Sequence, residues 1–170
     1  MRGEELRALQ APLKDRYRSA PDAAVVTLKA DGELDSEDLV CRVETGRALV
    51  AAGLHPASGG DGSQACSGDM LLQALVACAG VTMRAVATAL GIELRSGRIS
   101  AEGDLDFRGT LGVDKAAPVG FRAIRLRFDL DSPASAEELA KLQALTERYC
   151  VIYRTLMEPP PVEIELARAV

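Results

Sequence analysis

Ser67-Gly68-Asp69-Met70-Leu71-Leu72-Gln73-Ala74-Leu75-Val76-Ala77-Cys78-Ala79-Gly80-Val81-Thr82-Met83-Arg84-Ala85-Val86-Ala87-Thr88-Ala89-Leu90 contains no proline and only two charged side chains. The pattern predicts one long helix, with Ser67 as N-cap, Asp69 beside the positive end of the dipole, and Gly91 as terminator. Apolar residues cover nearly its whole circumference, so burial on all sides is expected. Its uncharged run, 70–83, falls short of the roughly 20 residues that span a bilayer, which favours a core helix. Ala74, Ala77, Ala79 and Gly80 are small enough to let another element approach closely. Cys78 lies in the middle of this helix.

Outward from it, strands are expected on both sides. Ala24–Ala30, Leu39–Glu44 and about Ala48 to Gly53 have strand character, with turns at Asp31-Gly32-Glu33 and Asp35-Ser36-Glu37-Asp38. Downstream, Ile99, Ala101, Gly103, Leu105 and Phe107 alternate with polar residues, as do Ile124, Leu126, Phe128 and Leu130. A turn or loop over 109–120 joins the two. Ser135 and Glu138 form a capping box for a second long helix whose buried face is Leu139, Leu142, Leu145 and Tyr149, with Cys150 just beyond. After Pro159-Pro160-Pro161, the alternation of Val162, Ile164 and Leu166 suggests a last strand. At the other end, Leu6, Leu9, Leu13 and Tyr17 make a helical stripe that Pro12 is expected to kink or end. The order of strands and helices describes an α+β fold in which antiparallel sheet wraps a central helix. Residues 1–170 read as a single domain, with 1–20 as an N-terminal helical extension.

Composition narrows the function. A net charge of −5 and the absence of tryptophan argue against nucleic-acid binding and against an anionic membrane surface. The acidic N-terminus has no apolar signal segment, so a cytoplasmic protein is expected. Cys41, Cys66, Cys78 and Cys150 show neither CxxC nor zinc-knuckle spacing, and His55 is the sole histidine. That argues against zinc and against a serine–histidine triad. The loop Gly59-Gly60-Asp61-Gly62 lacks the Lys-Ser/Thr of a phosphate-binding motif and reads as a connector. The pairs Asp104/Asp106 and Glu163/Glu165 read as solvated surface.

Thiol chemistry remains. The thiolate is the nucleophile, so a reactive cysteine needs something that favours its charged form. Cys78 is too deep in its helix for its own dipole to serve. It would need a cation brought from elsewhere in the fold, with Arg42 and Arg47 as the nearest candidates along the chain. Cys66 is the rival, being at the helix start, roughly 18 Å along the helix from Cys78. Cys41, flanked by apolar residues, reads as core.

Two segments resemble the paired cysteine motifs of the OsmC/Ohr family: Met70 to Cys78, and Glu147-Arg148-Tyr149-Cys150-Val151-Ile152-Tyr153-Arg154-Thr155-Leu156. The glycine-rich loop and the order of elements agree from about Ala24 to Leu166. The resemblance implies an OsmC-like fold, antiparallel sheets wrapped around long central helices in an intertwined homodimer. It also implies a thiol-dependent peroxidase that reduces organic hydroperoxides to alcohols without metal, flavin or other cofactor. Cys78 would be peroxidatic and Cys150 resolving, Arg47 or Arg42 would support the thiolate, and a dithiol reductant would close the cycle. The peroxidase members carry a proline and then a glutamate, the glutamate ten residues before the first cysteine. This chain has Ser67 and Gly68 there, with Asp69 one position on. Where relatives often have proline after the second cysteine, it has Val151. Two other functions suit the same fold: a non-catalytic dimeric binding protein for an apolar small molecule, and a cysteine redox sensor.

Overall fold

The computed structural model describes residues 2–20, 32–34, 40–44 and 49–168. The expected long helix, α2, spans Ser67–Leu90. Gly91 stops it in a left-handed conformation (φ 73°) that a side chain would oppose, and its N–H returns to the carbonyls of Ala87 and Thr88. The N-cap is Cys66 rather than Ser67, and no side chain caps the start. As a whole, α2 is long and apolar enough to cross a bilayer, which its uncharged run alone understates. Helix α1 (Gly3–Ser19), α4 (Ala136–Tyr149), α5 (Val151–Met157) and strand β5 (Ser96–Leu105) all pack against it.

Only one stripe of α2 is buried within the chain: Leu75, Ala79, Met83 and Ala87, spaced four residues apart. Burial on all sides does not hold, since Val81 is 73% exposed. Leu142 of α4 completes the core with Met83 and Ala87, ringed by Leu139, Phe128, Leu130 and Ile92. Helix α4 has the predicted box: the Ser135 hydroxyl accepts from the Glu138 N–H, and the Glu138 carboxylate accepts from the Ser135 N–H at 2.8 Å. Its buried face differs at one end. Thr146 is buried there, whereas Tyr149 is exposed, because the chain turns at Cys150 into α5.

Strand β5 pairs antiparallel with β6 (Phe121–Asp131), Ile99 opposite Phe128 and Ala101 opposite Leu126. Phe107 is not in the strand but opens a short helix, α3 (Phe107–Thr110), because Asp106 caps it by accepting from the Arg108 N–H. Asp106 is therefore not open surface. The Arg108 guanidinium, 2.6 Å away, holds its carboxyl down at about 2. Asp104 is exposed and bound by Arg125.

Strands β1 (Gly32–Leu34), β2 (Val40–Glu44) and β3 (Leu49–Gly53) form an antiparallel sheet, which β4 (Ala65–Cys66) joins in parallel beside β3. Gly32 and Glu33, expected in a turn, lie in β1. The expected strand Ala24–Ala30 and the turn 35–38 fall outside the described residues. Helix α1 continues through Pro12 to Ser19, so the proline does not end it. The side chains of Leu6, Leu9, Leu13 and Tyr17 also fall outside the description. The expected last strand does not form: Val162, Ile164 and Leu166 are 81%, 93% and 98% exposed, and among the described residues no strand pairs with them.

Candidate functional site: a two-thiol centre

Helix α4 ends at Cys150 and α5 begins there, so one residue is both C-cap and N-cap. The first N–H groups of a helix have no partner four residues back. In α5 the first intrahelical bond runs from the Arg154 N–H to the Cys150 carbonyl. The N–H groups of Val151, Ile152 and Tyr153 are thereby left for other acceptors, and they meet sulfur. Packing of α4 and α5 against α2 brings Cys78, half-buried, against Cys150, which is 1% exposed. Neither is in a disulfide.

The two thiols are driven apart in acidity. Burial pushes the Cys78 thiol up, but the Ile152 N–H, the Cys150 thiol, the Val151 N–H and the Thr82 hydroxyl together bring it below its ordinary value. Burial pushes Cys150 up as well. The hydrogen bond to Cys78 and the charge beside it push it further, against the N–H groups of Tyr153 and Ile152. Cys78 is thereby the more acidic of the two, the sulfur that accepts from the Cys150 S–H once it is charged. Val151 matters here because a proline at that position would have no N–H to offer.

Of the residues singled out from sequence, Cys78 and Cys150 meet. Cys66 stays at the other end of the α2 N-terminal half, beside Gly53 in the sheet. Arg47 lies outside the described residues. Arg42 is placed in β2, opposite Ala51 and Glu33, with its side chain undescribed. Asp69 is exposed in the first turn of α2, and Gly68 fits beneath Phe121 and Leu105. The glycine loop is a connector. Ser58 and Gly60 donate to the His55 carbonyl and Gly59 to that of Pro56, so these amides are spent locally. Gly60 is held tightly enough that a Cβ would collide with the Leu54 carbonyl. His55 caps the Pro56–Ser58 turn through Nδ1 and stacks on Phe107 at 5.0 Å. Among the described residues no group of three or more His, Cys, Asp or Glu side chains could hold a metal.

Sequence reasoning missed α5 and Thr82. Ile152, Tyr153 and Leu156 continue a helical spacing past Cys150, which was the available signal for α5. Thr82 stands four residues after Cys78 and so on the same helical face, a relation visible in the sequence. A groove of about 940 Å³ lies nearby between β6 and the helices, lined by Leu71, Leu75, Phe121, Ile124, Tyr153 and Leu156.

No curated protein matches the sequence. Solved structures do share the fold. An OsmC-like protein from Mycoplasma pneumoniae superposes with a TM-score of 0.65 at 20% identity, covering 79% of this chain and 89% of that one. An organic hydroperoxide resistance protein OsmC from Legionella pneumophila gives 0.62 at 18% identity, covering 79% and 92%. An organic hydroperoxide resistance protein from Elizabethkingia anophelis, with crystallant-derived thiocyanate bound, gives 0.64 at 12% identity, covering 80% and 91%. The sequence family described as OsmC-like protein matches residues 60–165, which include α2, both thiols and the α4–α5 junction. By that match, over more than half its length, the chain belongs to the OsmC-like protein family.

Proposed function

We propose that the protein is a cysteine peroxidase that reduces organic hydroperoxides to alcohols. The observation that carries this reading is the contact between a thiol of lowered pKa and a buried thiol of raised pKa. The Cys78 thiolate attacks the terminal oxygen of the hydroperoxide. The S–O bond forms as the O–O bond breaks, the alkoxide leaves as alcohol with a proton from water, and the sulfur becomes a sulfenic acid after losing two electrons. The Cys150 sulfur then attacks the Cys78 sulfur. The S–S bond forms, and the sulfenic oxygen leaves as water with the Cys150 proton. A dithiol reductant reopens the bond by exchange and is itself oxidised to a disulfide. Arg47, or Arg42, completes the site by supporting the thiolate and polarising the peroxide. A cytoplasmic dithiol pool is the natural partner for such a cycle.

The active form in this reading is a homodimer. Val81 lies three residues from Cys78, and Tyr149 and Val151 flank Cys150. All three are exposed apolar side chains beside the thiols, a surface that a second copy would cover. The solution molar mass tests this part: a monomer contradicts it.

The test of the activity is consumption of cumene hydroperoxide with dithiothreitol as reductant. Sustained turnover in wild type and none in Cys78→Ser supports the peroxidase. Equal turnover in both contradicts it. The groove beside β6 favours a second reading, a binding protein for an apolar small molecule. On that reading Cys78→Ser leaves the affinity for such a ligand unchanged, and wild type consumes no peroxide.

A further inference from the structure

We propose that Phe121 is a specificity-determining residue: its ring closes the far end of the groove beside β6 and so limits the length of the alkyl group that the hydroperoxide carries. The inference deepens the peroxidase reading and rests on Cys78 as the nucleophile.

The groove of about 940 Å³ runs between β6 and α2. Phe128 lines one end. Its partner on β5 is Ile99, which lies 3.5 Å from where a Cβ on Gly80 would stand, so this end is level with the Cys78 turn of α2. Leu75 and Leu71 carry the wall back toward the helix start, and Phe121 lines the other end. Leu71 is the last α2 side chain in the groove, roughly 10 Å along the axis from Cys78.

Phe121 holds its place by reaching across the ribbon. Its register partner is Leu105, yet its ring lies over Gly103, whose own partner is Ile124. A Cβ on Gly103 would fall 2.4 Å from the ring, and one on Gly68 would fall 3.4 Å from its tip. Two glycines, one on β5 and one on α2, thus leave the room that the ring takes. The register slips between Asp104 and Leu105, so Arg122 has no residue opposite, and such a bulge re-aims the side chains around it. Gly97, at the other end of the ribbon, is covered differently. The side chain over it is that of its direct partner, Leu130, which packs on the core and lies outside the groove. An alkyl chain laid from the Cys78 turn along Leu75 and Leu71 leaves water as it lengthens, until it meets the Phe121 ring. Methylenes beyond that point stay in solvent and add nothing.

The test is kcat/KM for unbranched butyl, octyl and dodecyl hydroperoxides with dithiothreitol, in wild type, Phe121→Ala, Phe121→Leu and Leu130→Ala. Calorimetric affinities for octanol and dodecanol accompany it, because the alcohols bind without turnover. Wild type is expected to gain from butyl to octyl and not from octyl to dodecyl. In Phe121→Ala the dodecyl-to-octyl ratio should rise about tenfold or more, since each methylene newly taken from water is worth about fourfold. Phe121→Leu, which keeps an apolar cover on Gly103, should give a smaller rise and serves where alanine disturbs folding. Leu130→Ala should leave the ratio unchanged. A wild-type ratio in both Phe121 variants overturns the proposal. So does an equal rise in Leu130→Ala, since loosened packing then explains it, or a wild-type gain that continues undiminished to dodecyl. If wild type consumes no hydroperoxide but the alcohol affinities still shift in Phe121→Ala, the peroxidase reading falls and the end wall stands. Turnover without chain-length dependence, with neither alcohol bound, spares the peroxidase and overturns the wall.

Discussion

Cys78 and Cys150 touch, and both have lost water, yet they are pushed in opposite directions. Burial alone would raise both thiols. What separates them is the direction of the donors around them. Cys78 receives hydrogen bonds from two free amides of α5, a hydroxyl of α2 and the neighbouring thiol. Cys150 is pushed up by burial, and by the hydrogen bond to Cys78 and the charge that Cys78 carries when ionised. The contrast shows that a helix can activate a cysteine on another helix. Cys78 lies too far along α2 to use the N-terminus of α2, but the first turn of α5 reaches it. On the proposed cycle this asymmetry sets the order of events, because the low-pKa sulfur attacks first and the high-pKa sulfur keeps its proton until resolution.

The largest effect that can break this contrast is exchange of the sulfurs themselves. Cys78→Ser is expected to lower hydroperoxide consumption by about a thousandfold or more, since the nucleophile is gone. Cys150→Ser should instead allow one turnover and stop at a sulfenic acid, which dimedone trapping followed by mass spectrometry detects. Equal losses with no trapped intermediate would mean that the two thiols do not have separate roles. Acidity offers the next comparison. With Cys78 lowered and Cys150 raised, Cys78 is the first of the two to lose its proton as pH rises. Labelling of Cys78 should therefore precede that of Cys150 as pH rises, and fall away only below the lowered value. Peptide-resolved labelling that reverses this order would contradict the assignment.

Further from the sulfurs, packing sets their approach. Leu142 is fully buried against Met83 and Ala87, where α4 crosses α2. Leu142→Ala should cost about 2–5 kcal/mol in urea unfolding and slow disulfide formation, by loosening the contact that carries Cys150 to Cys78. Ser135→Ala acts at the remote end of α4. It should cost about 1 kcal/mol through loss of the cap while leaving Cys78 labelling unchanged. The smallest change is expected from Asp104→Asn, which removes an exposed ion pair with Arg125 on the outer face of the β5–β6 ribbon. In high salt its thermal unfolding should match wild type.

The long helices α2 and α4 were legible because their signals are local. Gly91, Ser135 and Glu138 mark ends through bonds to residues within a turn, Asp69 marks one by its charge in the first turn of α2, and these marks hold to within a residue. Strands β5 and β6 were legible from strict alternation over ten or so residues. The α2 prediction failed on its surroundings rather than on its conformation: apolar composition states that a face favours cover, but not what covers it. The same holds for Val162, Ile164 and Leu166, which alternate as a strand yet lie open. The meeting of Cys78 with Cys150 was expected from family resemblance, since 72 residues of chain separate them and no local rule relates them. What neither spacing nor resemblance supplied was the set of donors. Those amides become available only because the chain breaks at Cys150 and restarts as α5.

The most direct test of the two-thiol account is intact-mass analysis of the reduced protein after one equivalent of cumene hydroperoxide, followed by peptide mapping. The account predicts rapid loss of two hydrogens, with the new bond mapped between Cys78 and Cys150. Free thiols at both positions, or oxidation confined to Cys66, would contradict it.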